Sequence, residues 1–287
     1  MTRPRRLELV SYSGMGQQLN TPAEWARACD AFATWLRASG KPESTVYLRM
    51  YQVRRFAITI EKRPFDVVLD DLAVYLSAHR WSPNTRRATR SGLRSFYRWA
   101  HATGRMDHNP AELLPVVPAP LGRPRPAPEE VVQLGLHIAD ERVRLMIRLA
   151  ATGGLRCCEI AVVHSSDLRP SLDGWSLIAH GKGRRVRTVP ISDHLADEIA
   201  RADGFLFPGQ IDGHLSAAYV SKLVSRALPE GVTAHMLRHR YASVTYAADR
   251  DIRAVQELLG HASVATTQVY TAVPDGALRR AALAAAA

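Results

Sequence analysis

Apolar residues recur at helical spacing through most of this chain, and two interruptions divide it. Trp25, Ala28, Cys29, Phe32, Trp35 and Leu36 fall on one helical face that Gly40 ends. Thr21 stands where a cap belongs, with Pro22 in the first turn and Glu24 completing a capping box. A second helix is expected from about Ser44 to Ile60, turning Tyr47, Leu48, Tyr51 and Phe56 inward with Arg49, Arg54 and Arg55 beside them. A third spans roughly Val67 to His79. A fourth starts at Ser82-Pro83 and sets Leu93, Phe96, Tyr97 and Ala100 on one face. Then Pro110, Pro115, Pro118, Pro120, Pro124, Pro126 and Pro128 break the period. Proline neither continues a helix nor donates to a sheet, so 104–128 reads as an extended linker. Helical spacing resumes near 129–138 and 140–151, and a further helix follows the Gly153-Gly154 turn from Leu155. Residues 175–191 alternate instead, as two short strands around Gly181-Lys182-Gly183. The stretch 214–279 is helical in pieces. The expected fold is mainly α with a small β-hairpin or sheet in the second half. A flexible lead-in (1–20), a helical domain (21–103), the linker (104–128) and a second domain with a C-terminal tail (129–287) make up the chain.

Charge sharpens this picture. The 287 residues carry 38 Lys plus Arg against 27 Asp plus Glu, a formal net charge of +11. Such a surplus suits a polyanion, because each neutralised phosphate releases condensed counterions. On the fourth helix Arg86, Arg90, Arg94 and Arg98 recur every four residues, and no acidic residue lies between Thr85 and Gly104. A solvated face normally mixes signs, so this stripe reads as a phosphate-tracking surface. Arg54, Arg184, Arg185, Arg187 and Lys222 are taken as further DNA contacts. A membrane partner is not expected: no apolar run is long enough to span a bilayer, and no basic amphipathic stretch has a bulky aromatic face. No apolar signal-peptide core follows Arg5-Arg6. Cys29, Cys157 and Cys158 have no metal-ligand spacing, and their odd number argues against a disulfide scaffold. The expectation is a protein of the reducing cytosol, with no metal and no cofactor.

Cutting a phosphodiester with a side chain requires a nucleophile, donors for the extra negative charge and an acid for the departing oxygen. The second half contains residues of each kind. Arg156 opens a helix after Thr152-Gly-Gly-Leu155, facing an anion together with the helix N-terminus, and Glu159 lies one turn on. Taken alone, the two read better as an ordinary surface ion pair. Lys182 sits at a hairpin tip, where it can protonate a leaving 5′ oxygen; a solvated hairpin or, weakly, a nucleotide loop are the other readings. His235 and Arg238 share a helical face and could clamp a phosphate, whereas zinc spacing is absent and His239 points elsewhere in a structural role. His261 follows a helix end at Gly260, and Ser263 caps a short helix carrying Tyr270. Tyr270 is either a core aromatic or a nucleophile. A free tyrosine is ionised only about once in a thousand molecules at neutral pH, so neighbouring cations and a base would have to activate it.

In order, Thr-Gly-Gly-Leu-Arg156-x-x-Glu159, Gly-Lys182-Gly with Val-Pro190, His235-x-Leu-Arg238-His239, and Leu-Leu-Gly-His261 with Tyr270 nine residues later resemble the tyrosine recombinases of the phage-integrase family. The resemblance is strong over 129–271, and 21–103 resembles the family's core-binding domain more loosely. It implies a two-domain DNA clamp in which Arg156, Arg238 and His261 hold the scissile phosphate. His235 would assist proton transfer, Lys182 would be the general acid, Glu159 would support Arg156, and Tyr270 would form a 3′-phosphotyrosyl link. It further implies double-stranded attachment or core sites and a Holliday junction, in a bacterial host cell and at its nucleoid. A homotetramer would be joined through the Leu278–Leu283 tail, and an accessory directionality factor could take part. Residues 1–20 are too short for the arm-binding domain of larger members. The first reading is a phage or prophage integrase. The alternatives are a Xer-like resolvase of chromosome or plasmid dimers and a non-catalytic DNA-binding regulator. A type IB topoisomerase fits the compact helical first domain less well.

Overall fold

The computed structural model describes residues 20–118, 125–181 and 185–260. Lys182, Arg184, His261, Ser263 and Tyr270 lie outside these, as do residues 1–19 and the tail. The chain divides into two compact units, one within 1–121 and one within 122–287.

The first unit is four helices closed by aromatic packing. α1 (Ala23–Ala38) begins behind Pro22 at its N-cap, one residue later than the cap expected at Thr21. α2 (Glu43–Ala57), α3 (Leu69–Ala78) and α4 (Pro83–Ala102) follow. Ser82 accepts a hydrogen bond from the Thr85 amide at 3.2 Å, and Pro83 needs no partner in the first turn. Trp25, Phe32, Phe56 and Phe96 interlock, with Phe32 and Phe96 meeting edge to face at 5.4 Å between centroids. α2 and α4 approach at Gly92, where an added Cβ would lie 2.9 Å from Gln52 Cβ.

Two expectations fail here. On α2 the buried stripe is Val46, Met50, Val53 and Phe56, whereas Tyr47, Leu48 and Tyr51 are exposed. The helix is rotated about 100° from the expected face, because Val46 and Val53 outcompete the tyrosines for the interior. Trp35 is likewise largely exposed, laid over Phe32 at the rim. Moreover, Met106, Ala111 and Leu114 are buried in this same core, so packed structure continues past Gly104, where the linker was expected to begin.

The second unit centres on α6 (Glu141–Thr152), whose Met146, Ile147, Leu149 and Ala150 are buried. Around it lie α5 (Glu129–Leu136), α7 (Cys157–Ala161), α8 (Asp193–Ala200), α9 (Ala217–Ala227), α10 (Ala234–Asp249) and α11 (Ile252–Leu259). β2 (Gly174–His180) and β3 (Val186–Ile191) form the expected hairpin, with Leu177 opposite Val189 and both buried in the core. An additional edge strand, β1 (Leu168–Ser171), pairs antiparallel with β2 to complete a three-stranded sheet. Pro170 disguised it, since proline is confined to strand edges.

Candidate active site

Four segments of the second unit converge on one carboxylate. After α6 the chain turns at Gly154 with φ +62°, a left-handed conformation that favours glycine. Its carbonyl accepts hydrogen bonds from Arg238 Nη1 and, at 3.5 Å, from Arg187 Nη2. Two residues on, Arg156 caps α7. That helix has only five residues. Glu159 folds back as a bracket. Its Oε2 accepts the Arg156 amide at 2.8 Å, and its Oε1 accepts Arg156 Nη1 at 2.8 Å.

Glu159 is fully buried, and two further arginines reach it. Arg187 donates to both carboxylate oxygens, at 2.6 and 2.9 Å. Arg238 Nη1 stands 3.6 Å away, with that side chain 1% exposed and its Nη2 donating to the Leu259 carbonyl at 2.5 Å. Burial raises the Glu159 carboxyl, but the Arg187 and Arg156 amide hydrogen bonds, with the charges of Arg187 and Arg238, outweigh it and hold the group below its ordinary range. Three guanidiniums thus share one carboxylate, and the uncompensated positive charge is available to an anion. Arg156, with 35% of its side chain exposed, presents part of that charge to solvent.

α10 sets His235 one turn before Arg238. His235 is exposed, yet protein packed against its ring, then Arg238 and Arg156, lower its pKa and leave it neutral at pH 7. His239 does not point away as expected. Its ring meets His235 edge-on at 4.3 Å, and burial, His235 and Arg238 bring its pKa down to about 4. Both histidines take protons more readily in the unfolded chain than in the fold. Stability is therefore full above about pH 6.5 and is lost as pH falls from there toward 4. His239→Phe should remove on the order of 2 kcal/mol of the loss between pH 7 and pH 4.5, read by urea unfolding at both values. An unchanged pH dependence would show that His239 titrates normally.

The surface arginines separate into two sets. Arg98 on α4, Arg185 and Lys222 on α9 are exposed as expected for DNA contacts, whereas Arg54 is half-buried and stands 3.5 Å from Asp30. Arg86 and Arg90 are half-buried. Their Nη2 atoms donate to the carbonyls of His79 at 3.2 Å and Leu114 at 2.6 Å, and Arg94 is half-buried beside them. The continuous basic stripe is therefore partly structural. Arg187, expected as a surface contact, is largely buried. Strand alternation places it on the same inward face as Val189, where it pairs with Glu159.

Residues 127–276 match the phage integrase family. Tyrosine recombinase XerC of Xanthomonas axonopodis pv. citri is 35% identical over 199 residues, covering 63% of this chain and 65% of that protein, so the match spans just under two thirds of the relative. Tyrosine recombinase XerA of Thermococcus kodakarensis is 32% identical over 269 residues, covering 88% and 93%. Among solved structures, a XerH site-specific recombinase bound to its difH substrate superposes with a TM-score of 0.65 at 21% identity, covering 90% of this chain and 83% of that one, a likeness of fold. The chain belongs to the phage integrase family of tyrosine recombinases, which are site-specific DNA recombinases.

Proposed function

We propose that this chain is a Xer-type recombinase that cuts and rejoins paired DNA core sites through a 3′-phosphotyrosyl link at Tyr270. The observation that carries the reading is the cluster of Arg156, Arg238 and neutral His235 around buried Glu159. Arg156 and Arg238, with His261, would hold the non-bridging oxygens of the scissile phosphate as charge builds on them. The Tyr270 oxygen attacks phosphorus and its proton passes to His235. The bond to the 5′ oxygen breaks, and Lys182 protonates that oxygen as it leaves. The freed 5′-hydroxyl of a partner strand then attacks the phosphotyrosyl bond and restores the tyrosine. One phosphoester replaces another at each step, so no nucleotide is consumed.

The first unit would serve as the core-binding domain, with Arg54 and Arg98 on phosphates. The second would be the catalytic domain, with Arg184, Arg185 and Lys222 on phosphates. Four chains would assemble on two sites through the Leu278–Leu283 tail, with or without an accessory directionality factor. The sequence reading put a phage or prophage integrase first. The names of the relatives, XerC and XerA, favour the resolvase alternative instead. A plasmid carrying two identical candidate sites as direct repeats tests it. Resolution into two circles is expected. Recombination confined to two non-identical sites would return the integrase reading.

A further inference from the structure

We infer that Arg187 is a positioning residue that fills the Glu159 carboxylate and so keeps the Arg156 guanidinium open to an anion. Only the identity of that anion, a DNA phosphate, rests on the proposed recombinase reading. A carboxylate has two oxygens, each with room for two donors. Oε1 of Glu159 accepts Arg156 Nη1 at 2.8 Å and Arg187 Nη1 at 2.6 Å. Oε2 accepts the Arg156 amide at 2.8 Å and Arg187 Nη2 at 2.9 Å. With one bond from its guanidinium to this carboxylate, the Arg156 side chain stays 35% exposed, whereas that of Arg187 is 10% exposed. Two backbone carbonyls aim the Arg187 fork. Its Nε donates to Leu258 at 2.7 Å, in the last turn of α11, and its Nη2 to Gly154 at 3.5 Å.

Taking Arg187 away would leave one vacant acceptor site on each oxygen of the buried Glu159, at a cost in free energy. Arginine and carboxylate favour a bidentate fork, and Arg156 already holds Oε1 through one Nη. Arg238 is less able to move in. Its Nη1 stands 3.6 Å from Oε2 and is tied to the Gly154 carbonyl, and its Nη2 is tied to that of Leu259. Arg156 is therefore the guanidinium that closes onto Glu159, with its donors turned to the carboxylate and away from an anion. A lysine at position 187 offers one ammonium in place of a fork and fills the carboxylate only in part.

The test labels the arginines of the full chain with phenylglyoxal, in the absence of DNA, and reads Arg156 by peptide mass mapping. Wild type, Arg187→Ala, Arg187→Lys and the double variant Arg187→Ala/Glu159→Gln are compared. In Arg187→Ala, labelling of Arg156 should slow about threefold or more as its guanidinium closes on Glu159. Glu159→Gln in that background removes the charge and one acceptor oxygen, so labelling should return to within about twofold of wild type. Single-turnover cleavage at saturating DNA should follow the same order, about tenfold or more slower in Arg187→Ala and partly restored in the double variant. A residue that merely held the fold together would show no such rescue. Arg187→Lys should change less in the same direction, and it decides the matter if Arg187→Ala does not fold. Arg156 labelling that is unchanged or faster in the folded variants would overturn the inference. So would a double variant that cleaves no faster than Arg187→Ala. Failure of wild type to form any Tyr270-dependent adduct would strike the recombinase reading, and the labelling would still decide the role of Arg187.

Discussion

Arg238→Ala is expected to slow strand cleavage about 10³-fold and to cost ~3–5 kcal/mol of stability. The side chain is buried, and its loss strips donors from the Gly154 and Leu259 carbonyls and a cation from the neighbourhood of Glu159. A buried acceptor left without a donor costs ~1–3 kcal/mol, so the Leu259 carbonyl accounts for part of the loss, while the Gly154 carbonyl keeps only its 3.5 Å bond from Arg187. Arg238→Lys separates the two roles. It keeps the positive charge near Glu159 but lacks the fork that serves two carbonyls, so stability should recover in part and cleavage should not. Single-turnover cleavage at saturating DNA and chemical unfolding check both numbers. If Arg238→Lys cleaves at the wild-type rate, charge alone matters there and the forked geometry has no catalytic role.

Gly154→Ala should be a strongly damaging small substitution in the second unit. At φ +62° an alanine costs ~1–2 kcal/mol, and its Cβ would stand 2.4 Å from Tyr241 Cδ1. Displacing that ring adds a further ~1–3 kcal/mol of overpacking. The functional effect has the same origin, because the Gly154 carbonyl receives both Arg238 and Arg187. Cleavage should fall by about tenfold or more at a temperature where the variant is folded, with DNA affinity nearly retained. Gly153→Ala is the control. Gly153 has an ordinary φ of −104°, so an alanine there meets crowding without backbone strain. Equal losses from the two variants would contradict the account of the Gly154 turn.

The sequence disclosed the helices because their apolar spacing is long and regular, and it disclosed the β2–β3 hairpin because alternation survives around Gly181. It did not disclose which face of α2 is buried. Valines and tyrosines compete along that helix, and only packing against α1 and α4 chooses between them. Basic residues were the other weak point. Arg184-Arg-Val-Arg187 reads as a solvated basic run, and Arg86 and Arg90 read as a stripe, because charge in a sequence does not say which guanidinium meets a carbonyl. The signal for Arg187 was present nonetheless. It lies two residues before the buried Val189, and a period of two turns both to the same face. The Glu159 bracket of Arg156 was legible as a three-residue spacing, whereas the convergence of two further arginines on it depends on Arg187 and Arg238, far away in sequence.

Covalent capture reads the proposed tyrosine nucleophile without an intervening step. Nicked duplexes bearing candidate core sites are incubated with wild type and Tyr270→Phe in EDTA and separated on a denaturing gel. A protein–DNA band from wild type alone is the predicted result. Native-gel binding by both proteins with no covalent band from either, on a duplex that supports recombination in cells, would contradict the account.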